Sequence, residues 1–225
     1  MNERQSQLFK NIVEEYIQTA QPVGSKLVVE KFNLNVSPAT VRNDMAELER
    51  YNLIISPHTS AGRIPTEHGY IKYVEEYIEL DKELSKEEGE EVKKLRNIEV
   101  EDIETKIKEL AKAMAERTSL GVFVGFARNN VYYTGLSNIF SQPEFQNLNL
   151  IQNISTVIDH LDDVMGEIYD SITKTEVKIG SSNPFSNDCS VVITKVKDFL
   201  IGIMGPMRMD YQNNLNLLNF IKNIL

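Results

Sequence analysis

The chain has 225 residues, 41% of them hydrophobic and 25% charged, a length that allows one large domain or two small ones with separate cores. A single cysteine excludes an internal disulfide framework, and three scattered histidines (His58, His68, His160) leave too few soft ligands for a zinc cluster. The net charge of −9 argues against sequence-blind coating of nucleic acid.

No long uncharged apolar run suggests a membrane span, and the start, "MNERQSQLFKNIVEEY", lacks the apolar core of a secretory signal. Cytoplasm is the expected compartment. From Glu3 to Thr19, Leu8, Ile12, Tyr16 and Ile17 recur at helical spacing. "QPVG" stops that helix, because Pro22 and Gly24 are both breakers. A second short helix is expected from Ser25 to Phe32, with Ser25 as its N-cap and Leu27, Val28 and Phe32 as its buried side. In the third, Ser37 caps and Pro38 takes the first position, where no amide hydrogen is needed. Val41, Met45 and Leu48 form one stripe of it; Ala39, Arg42, Asn43, Ala46 and Arg50 form the opposite face.

After this helix the period changes. "LIISPH" is β-rich, "TSAG" is a turn, and "RIPT" returns before a helix near Thr66. Three helices and a hairpin within about 65 residues follow the order of a winged helix-turn-helix, whose helix after the turn enters the DNA major groove. The odd face of the third helix fits that use. Alanines permit close approach, while Arg and Asn pair bidentately with guanine and adenine. Ser37 and Thr40 at the helix start suit a phosphate, and Arg63 beside Gly62 can reach the DNA backbone or minor groove. The alternatives are a protein-docking module and a solvated face on which Arg42 pairs with Glu47 or Glu49. Regional charge supports placed contacts: residues 1–72 carry 8 basic and 8 acidic side chains, residues 73–118 carry 9 and 15, and residues 119–225 carry 7 and 10.

The blocks "PVGSK", "NLNVSPATVRNDMAELE" and "PHTSAGRIPTEHGY", and later "YYTGLSNIFSQPEF" and "GPMRMDY", closely resemble the HrcA family of heat-inducible transcription repressors. The resemblance implies a dimeric repressor of chaperone operons that binds double-stranded DNA at an inverted-repeat operator called CIRCE and depends on the GroEL chaperonin. It carries a DNA-binding role onto Ser37, Ala39, Thr40, Arg42 and Asn43 of the third helix and onto His58, Thr59, Ser60 and Arg63 of the wing. Pro22, Val23 and Gly24 match the entry to the second helix, where the role is a structural turn. Asn52 stands where the family usually has Gly, and Asn tolerates a left-handed helix stop.

Residues 81–118 form a charged stretch interrupted by Gly89. Within it Ile103, Ile107, Leu110 and Met114 alternate four and three apart, as in a coiled-coil seam, yet they fill fewer than two heptads. The reading favoured is a helix laid on the following domain, with pairing to a twin in a dimer as the alternative. Strands are then expected at "GVFVGFA" and "VYYTG", with Asn129 and Asn130 at the turn. A long helix is expected from Phe145 to Ile172, with Leu150, Ile154, Ile158 and Leu161 in register. "EVKIGSS", "CSVVITKV" and "FLIGIMG" are three more strands before a last helix, with Asp210 as its cap and Arg208 either binding a ligand or pairing with Asp210.

The expected fold class is therefore α+β. An N-terminal winged helix-turn-helix (1–80) precedes a charged helical linker (81–118) and a small α/β sheet domain (119–225) for dimerisation or sensing, which the resemblance makes GAF-like. No Walker loop, dinucleotide fingerprint or nucleophile elbow is present, so no catalytic residue, metal or cofactor is expected. "GSSNPFSND" reads as a polar loop rather than an anion cradle, and Cys189 as a small buried hydrophobe. The family's usual inserted domain, associated with dimerisation, has no room between "AERTS" and "YYTGLSN". Two recognition helices must lie roughly 34 Å apart, or a multiple, to read an inverted repeat. Either the Ile107–Leu110 seam or the sheet domain must therefore set that distance. Two further readings are a ligand-responsive regulator of other genes with a metabolite-binding C-terminal domain, and an enzyme with a DNA-binding head.

Overall fold

Local capping chemistry sets the first elements of the computed structural model, which describes residues 1–58, 61–79, 102–146 and 148–225. The contacts divide the chain into two compact units, Met1–Ile78 and Glu79–Leu225. In the first unit Asn2 and Gln5 form a capping box that starts α1 (Glu3–Thr19). After it come α2 (Ser25–Lys31), α3 (Pro38–Arg50), the two-stranded antiparallel hairpin β1 (Ile54–Ile55) and β2 (Ile64–Pro65), and α4 (Glu67–Tyr77), capped by Thr66. Leu8, Phe9, Ile12 and Val13 of α1 are buried with Val28, Val41, Met45, Leu48, Leu53, Ile54 and Tyr70, forming the core of the unit.

Two expectations for α2 need correction. Gly24, in extended conformation, is the N-cap, so Ser25 is the first helical residue and is buried rather than capping. Leu27 is 43% exposed while Val28 is fully buried. Successive helical residues point about 100° apart, and α2, packed against α1 and α3, turns Val28 inward and leaves Leu27 outward.

The second unit is mixed helix and sheet. Its five strands, β3 (Gly121–Ala127), β4 (Asn130–Thr134), β5 (Glu176–Ile179), β6 (Cys189–Val196) and β7 (Phe199–Pro206), are all antiparallel in the order β4-β3-β7-β6-β5. The molecule is thus α+β. Strand alternation sends Phe123, Val191, Ile193, Leu200 and Met204 into one core with Ile139, Phe145, Leu161, Met165 and Phe185. Residues of the other parity, Val122, Val124, Val192, Ile201 and Ile203, are buried on the opposite face, where α5 (Ile103–Thr118) and α9 (Tyr211–Ile224) pack. Gly202 stands directly opposite Phe123, and a Cβ there would lie 2.1 Å from that ring.

The helix expected over 145–172 is not continuous. A short α6 (Leu136–Phe140) and a 3-10 turn (Pro143–Gln146) come first, then α7 (Leu148–Asp159) and α8 (Leu161–Ile168), separated at His160. A straight helix of that span would run about 42 Å, beyond the roughly 27 Å of an eight-residue strand, so the break keeps Leu161, Met165 and Ile168 over the sheet. The side chain of Ile154 lies outside the described residues.

In α5, Ile107, Leu110 and Met114 are each 1% exposed while Ile103 is 42% exposed. The stripe is consumed by the sheet beneath it, so it is a helix laid on its own unit and not a free seam. Residues 81–101 of the expected linker, including Gly89, lie outside the described residues. Arg208 also departs from expectation: its partners are Glu144, at 2.6 Å, and Gln142, at 2.9 Å, rather than Asp210. Asp210 instead caps α9 by accepting from the Asn213 amide at 3.0 Å.

Candidate nucleic-acid interface

Ser37 in extended conformation accepts the Thr40 amide at 3.1 Å, and its Oγ lies 3.0 Å from the Thr40 hydroxyl. With Pro38 following, this fixes where α3 begins and hence which side chains face outward. Val41, Met45 and Leu48 are buried; Ala39, Arg42, Asn43, Ala46 and Arg50 are all exposed. The helix ends at Arg50, and Asn52, with a φ of +56°, turns the chain toward β1.

The three acids of α3 are each matched by a cation from a different place. Buried Asp44 receives two bonds from Arg4 of α1, at 2.8 and 2.9 Å. Glu47 pairs with Arg50 at 2.6 Å, and Glu49 with Arg63 of the hairpin at 2.9 Å. Lys10, Lys26, Lys31 and Lys72 pair with Glu14, Glu30, Glu15 and Glu76. Of the 8 basic residues in positions 1–72, Arg42 is the one without a carboxylate partner among the described residues. The pairing of Arg42 with Glu47 or Glu49 weighed from the sequence is therefore absent; both acids are taken. The Asn43 side chain beside it also makes no hydrogen bond among the described residues.

Arg42 lines an open cleft together with Ser25 and Lys26 at the start of α2 and Ser56, Ala61, Gly62 and Arg63 of the hairpin. The hairpin is held there by reciprocal backbone bonds between Val23 and Arg63, each 2.9 Å. His58 is exposed, and its carbonyl accepts from Ser56 Oγ at 2.8 Å and from the Ala61 amide at 3.0 Å. Thr59 and Ser60 lie outside the described residues. The arrangement thus brings Arg42 and Arg63 to one cleft and leaves Asn43 and Ala39 on the open face. Sequence reasoning missed Ser25, Lys26 and Ser56 as members of this cleft and Glu49 as the partner of Arg63. For Ser25 and Lys26 the one signal was the "PVGSK" block, which reads as a turn.

A family model described as "HrcA protein C terminal domain" matches residues 73–214. The chain belongs to the HrcA family. Among relatives, the heat-inducible transcription repressor HrcA of Pelotomaculum thermopropionicum is 42% identical over 119 residues, covering 53% of this chain and 34% of its own. The HrcA of Thermomicrobium roseum is 52% identical over 88 residues, 39% of this chain and 25% of its own. The match thus spans about a third or less of the length of these HrcA relatives. They are named as transcription repressors, and the family is not one of enzymes. A crystal structure of a hypothetical protein superposes with a TM-score of 0.76 at 20% identity, covering 99% of this chain and 97% of that one, so it shares the fold.

Proposed function

We propose that the chain is a cytoplasmic, sequence-specific transcriptional repressor of chaperone operons. Met1–Ile78 acts as a winged helix-turn-helix and the later α+β unit as a GAF-like dimerisation domain. The operator is an inverted repeat of the CIRCE type, read by a homodimer that blocks polymerase by occupancy. One observation carries the DNA reading: among the described residues, α3 exposes the Arg42 and Asn43 side chains without a partner, between alanines, in a unit whose other Lys and Arg residues are matched by acids.

An arginine on a helix face can donate to guanine O6 and N7, and an asparagine can donate to adenine N7 while its amide oxygen accepts from adenine N6–H. Ala39 and Ala46 keep the helix slim enough to approach base edges. Ser37 and Thr40 sit at the helix N-terminus, where backbone amides and the dipole favour a phosphate. His58, Thr59, Ser60 and Arg63 complete the interface from the hairpin. A metabolite-sensing role for the second unit has less support. The apolar space under α7, lined by Phe123, Tyr133, Leu136, Ile139, Leu161 and Met204 among others, has room for about one water molecule.

The test is a gel shift on duplexes carrying the inverted repeats upstream of the source organism's own chaperonin genes. Arg42→Ala and Asn43→Ala are each expected to lose about 1–3 kcal/mol on the operator and little on unrelated DNA. Wild-type binding by both variants would refute the base-reading assignment. Adding GroEL to the same reaction tests the chaperonin dependence that belongs to this reading.

A further inference from the structure

Arg63 is the hairpin's cation, yet its guanidinium turns inward. Nε lies 2.9 Å from Glu49 Oε1, an ion pair whose N–H is not aligned for a hydrogen bond, with only 25% and 30% of the two side chains exposed. Its Nη1 is 3.3 Å from the Ala61 carbonyl oxygen. The backbone of Arg63 exchanges both hydrogen bonds with Val23. A Cβ on Gly62 would stand 2.5 Å from the Val23 carbonyl carbon. The return strand is thus packed against the turn before α2 and clipped to the end of α3 by one side chain.

Glu49 lies in the last turn of α3, where the helix dipole disfavours an acid and a matched cation relieves it. Were Arg63 to swing out to a phosphate, it would leave that carboxylate unmatched beside a polyanion. We propose that Arg63 is a positioning residue: it clamps the hairpin onto α3 through Glu49 and is not itself the hairpin's phosphate contact. This rests on the DNA reading above and refines it.

The two roles predict opposite signs for Glu49→Gln. If Arg63 contacts phosphate, removing the neighbouring acid frees it and tightens binding. If it clamps, binding weakens. Titrations of the full chain on the chaperonin-upstream duplex, repeated across salt, read this directly. Glu49→Gln and Arg63→Gln are each expected to weaken binding about fivefold, as is the double variant, with the melting temperature preserved. The slope of log K against log salt stays at the wild-type value, because no phosphate contact is lost. Without DNA, amide exchange at Val23 and Arg63 accelerates in both single variants. Tighter binding by Glu49→Gln, a slope reduced by about 1 in Arg63→Gln, or unchanged binding and exchange in both would each overturn the clamp. Failure of the wild-type chain to bind the duplex, with exchange accelerated as expected, would overturn the DNA reading while leaving the clamp as a structural contact.

Discussion

Arg42 and Arg63 carry the same charge and line the same cleft, yet their surroundings assign them different work. Arg63 has an acid at 2.9 Å; Arg42 has none among the described residues, and that difference was not visible in the sequence. The ends of an ion pair such as Arg4 and Asp44 stand 40 positions apart, and those of Arg208 and Glu144 stand 64 apart, so only the fold decides who meets whom. Cys189 was legible, since a cysteine inside an apolar run is most simply buried. It is fully buried, and burial pushes its thiol up to about 12. The thiolate is the reactive form, so Cys189 is expected to resist a thiol-labelling reagent at pH 8 in the native chain and to react promptly in denaturant. The folded pKa lies above the unfolded value of about 8.5. Stability is therefore full below that value and declines as pH rises toward 12, because only the unfolded thiol ionises. Rapid labelling of the native protein would contradict this burial.

At the scale of elements, what the sequence revealed is what neighbours in the chain determine. Asn2, Ser37, Thr66 and Asp210 each accept a nearby amide at the start of a helix, and such caps are written in adjacent residues. The hairpin and the five strands were legible by composition and period. The break at His160 was not, because "TVIDHLDD" contains no glycine or proline; the limited length of the sheet imposes it. The exposure of Leu27 was hidden for a related reason, since seven residues are too few for a period to choose between Leu27 and Val28. Two predictions belong here. Asn52→Ala removes the short polar side chain that eases φ +56° and is expected to cost roughly 1 kcal/mol, seen as a lower urea midpoint with an unchanged slope. Leu110→Ala removes a side chain 1% exposed under α5 and is expected to destabilise the second unit by about 2–5 kcal/mol. The chain's mass by light scattering should stay that of wild type. A change in association without loss of stability would restore α5 as a seam between copies.

For the whole molecule, the net charge of −9 and the DNA reading meet in the salt dependence of binding. A protein that spreads free lysines along DNA shows a steep slope of log K against log salt, about 0.9 for each phosphate neutralised. Here the acidic excess lies beyond residue 72, and among the described residues every Lys and Arg of positions 1–72 except Arg42 has an acid partner. Few counterions can then be displaced per copy. On the proposed DNA reading, affinity would come from base contacts at α3, amide contacts near Ser37, and the linking of two copies. The expected slope for a dimer is shallow, about −2 to −4, well short of the value near −10 seen for a strongly electrostatic repressor. Two-fold pairing adds a geometric expectation. Inserting about 5 base pairs between the half-sites turns one recognition face to the wrong side of the duplex, and inserting about 10 brings it back. Binding should therefore fall in the first duplex and recover in part in the second, with two chains per duplex. A steep slope would mean that Lys10, Lys26, Lys31 or Lys72 leave their partners for phosphate; indifference to spacing would mean that the copies read DNA singly. Because the stripe of α5 is spent on its own sheet, a spacing-sensitive complex would locate the link between copies on a surface other than that stripe.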